Sequence, residues 1–177
     1  LALWWWCVAD RARVVLTAPA AHQVANVLWP EVRRLYLHAR LPLGGRLYNT
    51  PDKGLKLDDG REIIGLNTNT PEAFAGISSP GLLFIVDEAS GFPEPIFNAV
   101  FGNMAGGGRV ILTGNPTRTS GTFYDAFHSR RDGWCPMHVS SLDTPNFHGG
   151  HVPGLANPEW AEWAAGQWGR GTPAWAC

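Results

Sequence analysis

Two acidic residues, Asp87 and Glu88, follow directly after the apolar run GLLFIV at residues 81–86. A continuous apolar run predicts a strand that is covered on both faces of a parallel sheet, and ligands bind at the carboxyl ends of such strands. Asp87 could hold a magnesium ion there, usually through its waters, because this cation prefers carboxylate oxygens. Glu88 could orient or deprotonate an attacking water. The pair suits nucleotide hydrolysis, with the alternative that both acids only cap the next helix and keep the strand end soluble.

A second apolar strand, RVILT, ends in the polar residues Thr113, Gly114, Asn115 and Pro116. Adjacent parallel strands deliver their tips to the same sheet edge, so we expect Thr113 and Asn115 to lie near the two acids. They could sense a γ-phosphate or the attacking water and pass that state to the following loop. Gly-Asn-Pro is also a common turn sequence. The functional interpretation of this strand end therefore depends on its combination with the acid pair.

Alternating strands and helices must position these residues. Apolar patterning and turn residues predict strands at 13–17, 62–66, 81–86, 109–113 and 137–140, and a hairpin at 46–48 and 55–57. They predict helices at 20–38, 95–104, 121–129 and 158–168, with a kink or break at Pro30 and a short helical turn at 70–75. This alternation favours an α/β fold with a mostly parallel sheet and helices on both faces.

Composition limits the classes of function. The chain has 177 residues, 45% hydrophobic and 16% charged, which is typical of a globular domain. Its formal net charge is -1, so no strong overall field attracts nucleic acid or an anionic membrane. The opening run LALWWWCVA is too short to span a bilayer and indicates a buried helix end. Its cysteines are scattered, without zinc-ligand spacing, which favours a reducing compartment.

Several segments in order resemble the ATPase domain of tailed-phage terminase large subunits, a RecA-like fold of the P-loop NTPase class. They are TAPAAHQV, PEAFAGISSPGLLFIVDEAS, VILTGNPTRTSGTFYDAFH, VSSLDTPN and NPEWAEWAAGQWGRGTPAW, which together span nearly the whole chain. The resemblance implies that Asp87 and Glu88 form the Walker B motif and that Thr113-Gly114-Asn115 is the motif coupling hydrolysis to movement. Asp87 would then position Mg²⁺, and Glu88 would activate water for ATP hydrolysis.

The chain departs from the family's pattern in two places. No GxxxxGK(S/T) phosphate-binding loop occurs in the sequence, and the resemblance implies that this loop lies just upstream of Leu1. No acidic cluster for two-metal DNA cleavage follows either. We therefore expect residues 1–177 to be a partial motor domain, truncated at its N-terminus before the core is complete. Without its Walker A loop and a nuclease domain, this fragment is expected to be inactive by itself.

The resemblance also implies cofactors and partners for the complete protein. It would be a DNA-translocating ATPase that uses ATP and Mg²⁺ in the cytoplasm of the bacterial host. Its partners would be double-stranded DNA, the portal protein, the terminase small subunit and other copies of the large subunit, with no membrane. The family's arginine finger and DNA contacts are not assigned to positions of this chain.

Two other functions stay open from the sequence. DEAS at residues 87–90 is similar to the box of superfamily 2 helicases, so a helicase-like ATPase fragment is one alternative. A non-hydrolysing module for assembly or DNA docking is the other, favoured by the missing phosphate loop and opposed by the intact acids.

Some residues have a structural and a functional interpretation. Arg61, Arg118 and the pair Arg130-Arg131 could contact phosphate or DNA, although solvated arginines are the commoner case. His148 and His151 have a spacing that could suit a metal but lie in a Gly/Pro-rich stretch. The tryptophans at 160, 163 and 168 share helical spacing, which favours packing over stacking with single strands.

Overall fold

A six-stranded sheet forms the centre of the described structure. The computed structural model describes residues 1–49, 53–66 and 70–170. Within them the spatial strand order is β2-β3-β4-β1-β5-β6. The strands are β1 Ala12–Thr17, β2 Arg46–Tyr48, β3 Lys53–Lys56, β4 Glu62–Gly65, β5 Gly81–Val86 and β6 Arg109–Leu112.

The sheet is parallel where the acid pair lies. β1 pairs in parallel with β4 on one side and β5 on the other, and β5 pairs in parallel with β6. β3 is antiparallel to β4, and β2 is antiparallel to β3. The predicted hairpin and the four parallel strands are thereby confirmed, and the carboxyl ends of β1, β5 and β6 meet at one edge.

Helical segments cover both faces of the sheet. The helices of the described chain are α1 Ala2–Val8, α2 Ala21–Gln23, α3 Trp29–Leu37, α4 Glu94–Gly102, α5 Thr122–Phe127 and α6 Pro158–Trp168, beside several short 3-10 turns. On one face, Trp6 of α1 and Trp29 of α3 pack in a core cluster with Val14 and Leu83 of the sheet. On the other, the Phe84 ring lies 6.1 Å from that of Phe74, in the 3-10 turn Pro71–Phe74, which contacts α4.

The helix predicted at 20–38 continues past Pro30 because one turn before the proline is π-helical. Residues Val24–Leu28 form a π-helical turn, in which the N–H of Trp29 donates to the carbonyl of Val24. Proline lacks a donor, and its ring clashes with the carbonyl four residues earlier in an α-helix. A π turn immediately before Pro30 changes that geometry, so the chain alters its hydrogen-bond pattern instead of ending the helix.

One predicted strand is wrong. Residues 137–140 form no strand in the described structure. Met137 and Val139 are 79% and 74% exposed, respectively, so this alternating pattern has no sheet face to cover. Strand propensity takes effect only where a neighbouring strand and a core are present.

The chain divides into two compact units, Leu1–Tyr124 and Asp125–Cys177. The first contains the sheet and the helices α1 to α4. In the second, α6 spans Pro158–Trp168 as predicted, and Asn157 caps it by accepting the N–H of Trp160 at 2.8 Å. Trp168 touches both Trp160 and Trp163 edge to face, and all three rings are 43–57% exposed. Cys177 lies outside the described residues.

Candidate functional site

The predicted site residues meet at the carboxyl edge of the sheet. The N–H of Asp87, just past β5, donates to the Thr17 carbonyl of β1 at 2.9 Å, and the N–H of Thr113 donates to Val86 at 2.9 Å. These two bonds extend the parallel ladder by one residue beyond the strands. The first polar residues after β5 and β6 are therefore fixed by sheet geometry.

A side-chain bond joins the two strand tips. The Thr113 hydroxyl donates to Oδ1 of Asp87 at 2.8 Å. Asp87 is only partly buried, so its carboxylate can reach both the protein and a solvated ion. A single carboxylate beside a hydroxyl fits Mg²⁺ held largely through its waters, because this ion dehydrates reluctantly.

Glu88 has an unusual backbone conformation. Its φ and ψ are 50° and 43°, in the left-handed region that few non-glycine residues adopt. The N–H of the next residue, Ala89, donates to the Thr113 carbonyl at 2.8 Å. The chain turns sharply at Glu88 as a result, and the segment after β5 is pinned to the segment after β6.

Gly114 touches this turn directly. A Cβ on Gly114 would lie 3.0 Å from the nitrogen of Ala89 and 3.2 Å from Cα of Glu88, and φ of Gly114 is +153°. Both the space and the backbone conformation exclude a side chain at this position. The predicted coupling segment thus contacts the backbone of the predicted water-activating residue.

Asn115 lies farther along an exposed loop. Every residue from 113 to 120 is exposed, and the Asn115 carbonyl accepts the N–H of Thr117 at 2.9 Å. Within the described part of the chain, no hydrogen bond joins the Asn115 side chain to either acid. The structure therefore brings Thr113 and Gly114 onto the acid pair and places Asn115 in solvent.

Two hydrogen-bonded pairs at the site went unpredicted. Ser90 and Thr117 share a hydroxyl contact of 2.8 Å. The carboxylate of Glu94 accepts both the N–H and the hydroxyl of Thr122, at 2.7 and 2.8 Å. Nothing in the sequence marks partners 27 or 28 positions apart, although Glu94 and Thr122 each begin a helix, where polar caps are common.

The arginines have different environments. Arg61 donates to Asp59 and to the carbonyls of Trp6 and Cys7. It therefore caps the C-terminal end of α1. Arg118 lines a cavity of about 120 Å³ beside Ser90 and Glu94.

The described residues show neither a grouped metal-ligand set nor a membrane-spanning helix. No group of three or more His, Cys, Asp or Glu side chains there is arranged to hold a metal ion, His148 and His151 included. No helix in the described ranges is long and apolar enough to cross a membrane.

The chain is similar in sequence to a known phage protein. Over 125 residues the chain is 31% identical to the probable terminase large subunit of Enterobacteria phage P7, covering 66% of this chain and 25% of that protein. The chain thus resembles phage terminase large subunits. It spans about a quarter of the length of this curated relative. No family model matches the chain.

Solved structures of large terminases share the fold. The ADP complex of a large terminase from a thermophilic bacteriophage aligns with a TM-score of 0.50 over 71% of this chain and 31% of that one. Another crystal form of the same phage's large terminase aligns with a TM-score of 0.53 over 74% and 33%. Both are 14% identical to this chain, an identity at which they support the fold alone. The predicted resemblance and the RecA-like α/β fold are confirmed.

Proposed function

We propose that this chain is part of the ATP-hydrolysing DNA-packaging motor of a phage terminase large subunit. The supporting observation is the hydrogen-bonded junction of Asp87 and Thr113 at the carboxyl edge of the parallel sheet. In α/β folds this edge is where ligands bind. The acid pair acts as the Walker B motif, and Thr113-Gly114-Asn115 acts as the coupling motif.

Each residue has a distinct role in the proposed reaction. Asp87, with one oxygen held by Thr113, positions Mg²⁺ through its waters, and Mg²⁺ supplies charge neutralisation at the phosphates. Glu88 orients the attacking water and accepts its proton. Asn115, exposed in the loop beyond β6, senses loss of the γ-phosphate, and the contact of Gly114 with Glu88 passes the change along the loop.

The remaining half of the nucleotide site belongs upstream of Leu1 in this proposal. α1 packs on β1 and is joined to it by three residues, Ala9 to Arg11, so the helix runs opposite to the strand. Its last turn lies at the amino edge, where the Trp5 indole donates to Gly81 at 2.8 Å. A chain entering α1 therefore comes from the carboxyl edge, where a phosphate-binding loop and its lysine would face the acids.

Cofactors and partners follow from the family. The large terminase of the thermophilic bacteriophage was solved with ADP, and we extend nucleotide binding, as ATP with Mg²⁺, to the complete protein. Double-stranded DNA, the portal protein, the terminase small subunit and further copies of the large subunit are its proposed partners, in the host cytoplasm.

The test uses Glu88→Gln in the complete natural protein. The amide keeps the shape of Glu88 but cannot accept a proton, so we expect turnover to fall by about 10²–10⁴-fold while ATP binding stays within about twofold, because binding uses other groups. Phosphate release and binding of a fluorescent ATP analogue are the measurements. Glu72→Gln is the matched control, because Glu72 is exposed in the turn Pro71–Phe74.

Three results would contradict parts of the proposal. Normal turnover in Glu88→Gln would remove Glu88 as the catalytic carboxylate. Wild-type protein that binds DNA without hydrolysing ATP would be a docking module. ATP-driven strand separation without packaging into procapsids would favour the helicase-like alternative.

A further inference from the structure

Two segments run side by side from the acid pair to the next helices. Residues 87–94 connect β5 to α4, and residues 113–122 connect β6 to α5. They are joined at their beginning by the Ala89–Thr113 backbone bond and midway by the Ser90–Thr117 hydroxyl contact, each 2.8 Å long. The Glu94–Thr122 pair joins them at their far end.

The far junction is the strongest of the three. Glu94 is the first residue of α4, and Thr122 is the first residue of α5. Both oxygens of Glu94 are used, since Oε1 accepts the Thr122 N–H and Oε2 accepts its hydroxyl. Hydrogen bonds to a carboxylate are about twice as strong as neutral ones, and helix-start N–H groups otherwise lack a partner.

Burial does little to hold the loop between the junctions. Residues 113–120 are all exposed, so burial contributes little to their position. A cavity of about 120 Å³ lies beside the loop and is lined partly by Ser90, Glu94 and Arg118. Gly121, with φ of +96°, leaves room for the junction, because a Cβ there would lie 2.9 Å from Oε1 of Glu94. Polar junctions therefore determine where the loop sits.

We propose that Glu94 is a positioning residue that fixes the downstream end of the coupling loop. β6 fixes the upstream end, and the two anchors together hold Gly114 against Glu88. Release of Thr122 frees the loop, and the left-handed turn at Glu88 loses its support. This inference rests on the proposed function, in which Glu88 activates water.

Four substitutions in the complete natural protein test this role. Glu94→Ala removes both bonds and Thr122→Val removes the hydroxyl bond, whereas Glu94→Gln and Thr122→Ser can keep the junction. An amide oxygen still accepts the Thr122 N–H, and its NH₂ can donate to the hydroxyl. Glu72→Ala is the control for loss of an exposed carboxylate.

Two readouts are expected to change together. For Glu94→Ala, kcat falls on the order of tenfold or more with little change in KM, because misplacing a group by ~1 Å can cost about 10²-fold. Amide hydrogen exchange over residues 113–122 becomes faster, since the Thr122 N–H loses its acceptor. Thr122→Val gives a smaller change in the same direction, and Glu94→Gln restores both readouts to near wild type.

The outcomes separate this inference from the proposed function. Unchanged kcat and exchange in Glu94→Ala would overturn the positioning role, as would a Glu94→Gln variant as impaired as Glu94→Ala, since charge alone would then matter. Hydrogen exchange does not depend on hydrolysis, so a junction that protects residues 113–122 in a protein without ATPase activity would count against the proposed function instead. If Glu94→Ala does not fold, Thr122→Val decides the same question.

Discussion

At the scale of single residues, the site depends on a backbone contact more than on side-chain pairs. Glu88 holds a left-handed conformation, which costs of order 1–3 kcal/mol in a non-glycine residue and persists only where its surroundings enforce it. The bond from Ala89 to Thr113 and the close approach of Gly114 supply that constraint. The backbone at Glu88 and the segment 113–115 therefore constrain each other's position.

Gly114→Ala should therefore impair turnover in the complete protein. A Cβ at Gly114 would meet Cα of Glu88 at 3.2 Å, so one backbone must move, and the carboxylate that activates water in the proposed function moves with it. We expect kcat to fall by about 10–100-fold with nucleotide binding retained, measured by phosphate release and analogue binding. Gly133→Ala is the control, because nothing lies within 4 Å of its added Cβ. Wild-type kcat in Gly114→Ala would show that the contact is not used.

The sequence predicted where Asp87 and Thr113 lie better than it predicted the contacts around them. Apolar strands ending in Asp87 and Thr113 had to meet at one edge, because parallel strands share their carboxyl ends. The pairing of Glu94 with Thr122 depends on where two loops and two helix starts come to lie. No local pattern encodes that arrangement, since the partners are 28 positions apart.

At the scale of elements, α1 is held by its C-terminal end as well as by its buried face. Trp6 is fully buried in the core cluster, while Arg61 donates to the carbonyls of Trp6 and Cys7 in the last turn of the helix. The carbonyls at a helix C-terminus lack intrahelical partners, and a cation there is favourable. Arg61 is consequently a structural residue, and the DNA-contact interpretation loses its support.

Arg61→Ala should lower thermal stability by an amount that depends on pH. The variant loses the side-chain bonds to Asp59 and to two carbonyls at the end of α1, so we expect a fall of a few degrees in Tm. The backbone N–H and then the side chain of Arg61 hold the pKa of Asp59 below its ordinary value. A lowered carboxyl pKa stabilises the fold above the ordinary pKa, and this contribution is lost as pH falls through the folded value.

Arg61→Ala keeps the backbone N–H and loses only the side-chain part of this effect, so the Tm difference from wild type should be larger at pH 7 than at pH 3. Melting by circular dichroism checks this, with Arg33→Ala as the control on the exposed face of α3. A difference that grows on acidification would contradict the ion pair of Arg61 with Asp59.

The elements were predictable where burial and periodicity agreed. GLLFIV and RVIL form β5 and β6 because long apolar runs need both sheet faces covered. The prediction failed at 137–140, where alternation has no core to face, and it missed the π turn before Pro30. At 137–140 the outcome depended on tertiary neighbours that the local sequence does not specify, whereas the π turn accommodates the local geometry of Pro30.

At the scale of the whole molecule, the sheet has an open edge at β6. β6 pairs only with β5 in the described residues, and its residues Val110, Ile111 and Leu112 are half-buried, whereas β5 is almost fully buried. An apolar edge with free N–H and C=O groups is a template for further pairing. We propose that, in the complete protein, a strand leading into the phosphate-binding loop covers this edge.

The 177-residue chain expressed alone should therefore self-associate through β6. We expect light scattering to show oligomers that grow with concentration. Val110→Lys should reduce them, because a charge on an edge strand opposes pairing and a lysine stem can reach solvent from a half-buried position. Val8→Lys is the control, since Val8 is 59% exposed on α1 and lies outside the sheet. Equal improvement by both variants would assign the association to general apolar surface. A monodisperse wild-type chain that melts cooperatively would mean that the β6 edge needs no partner strand.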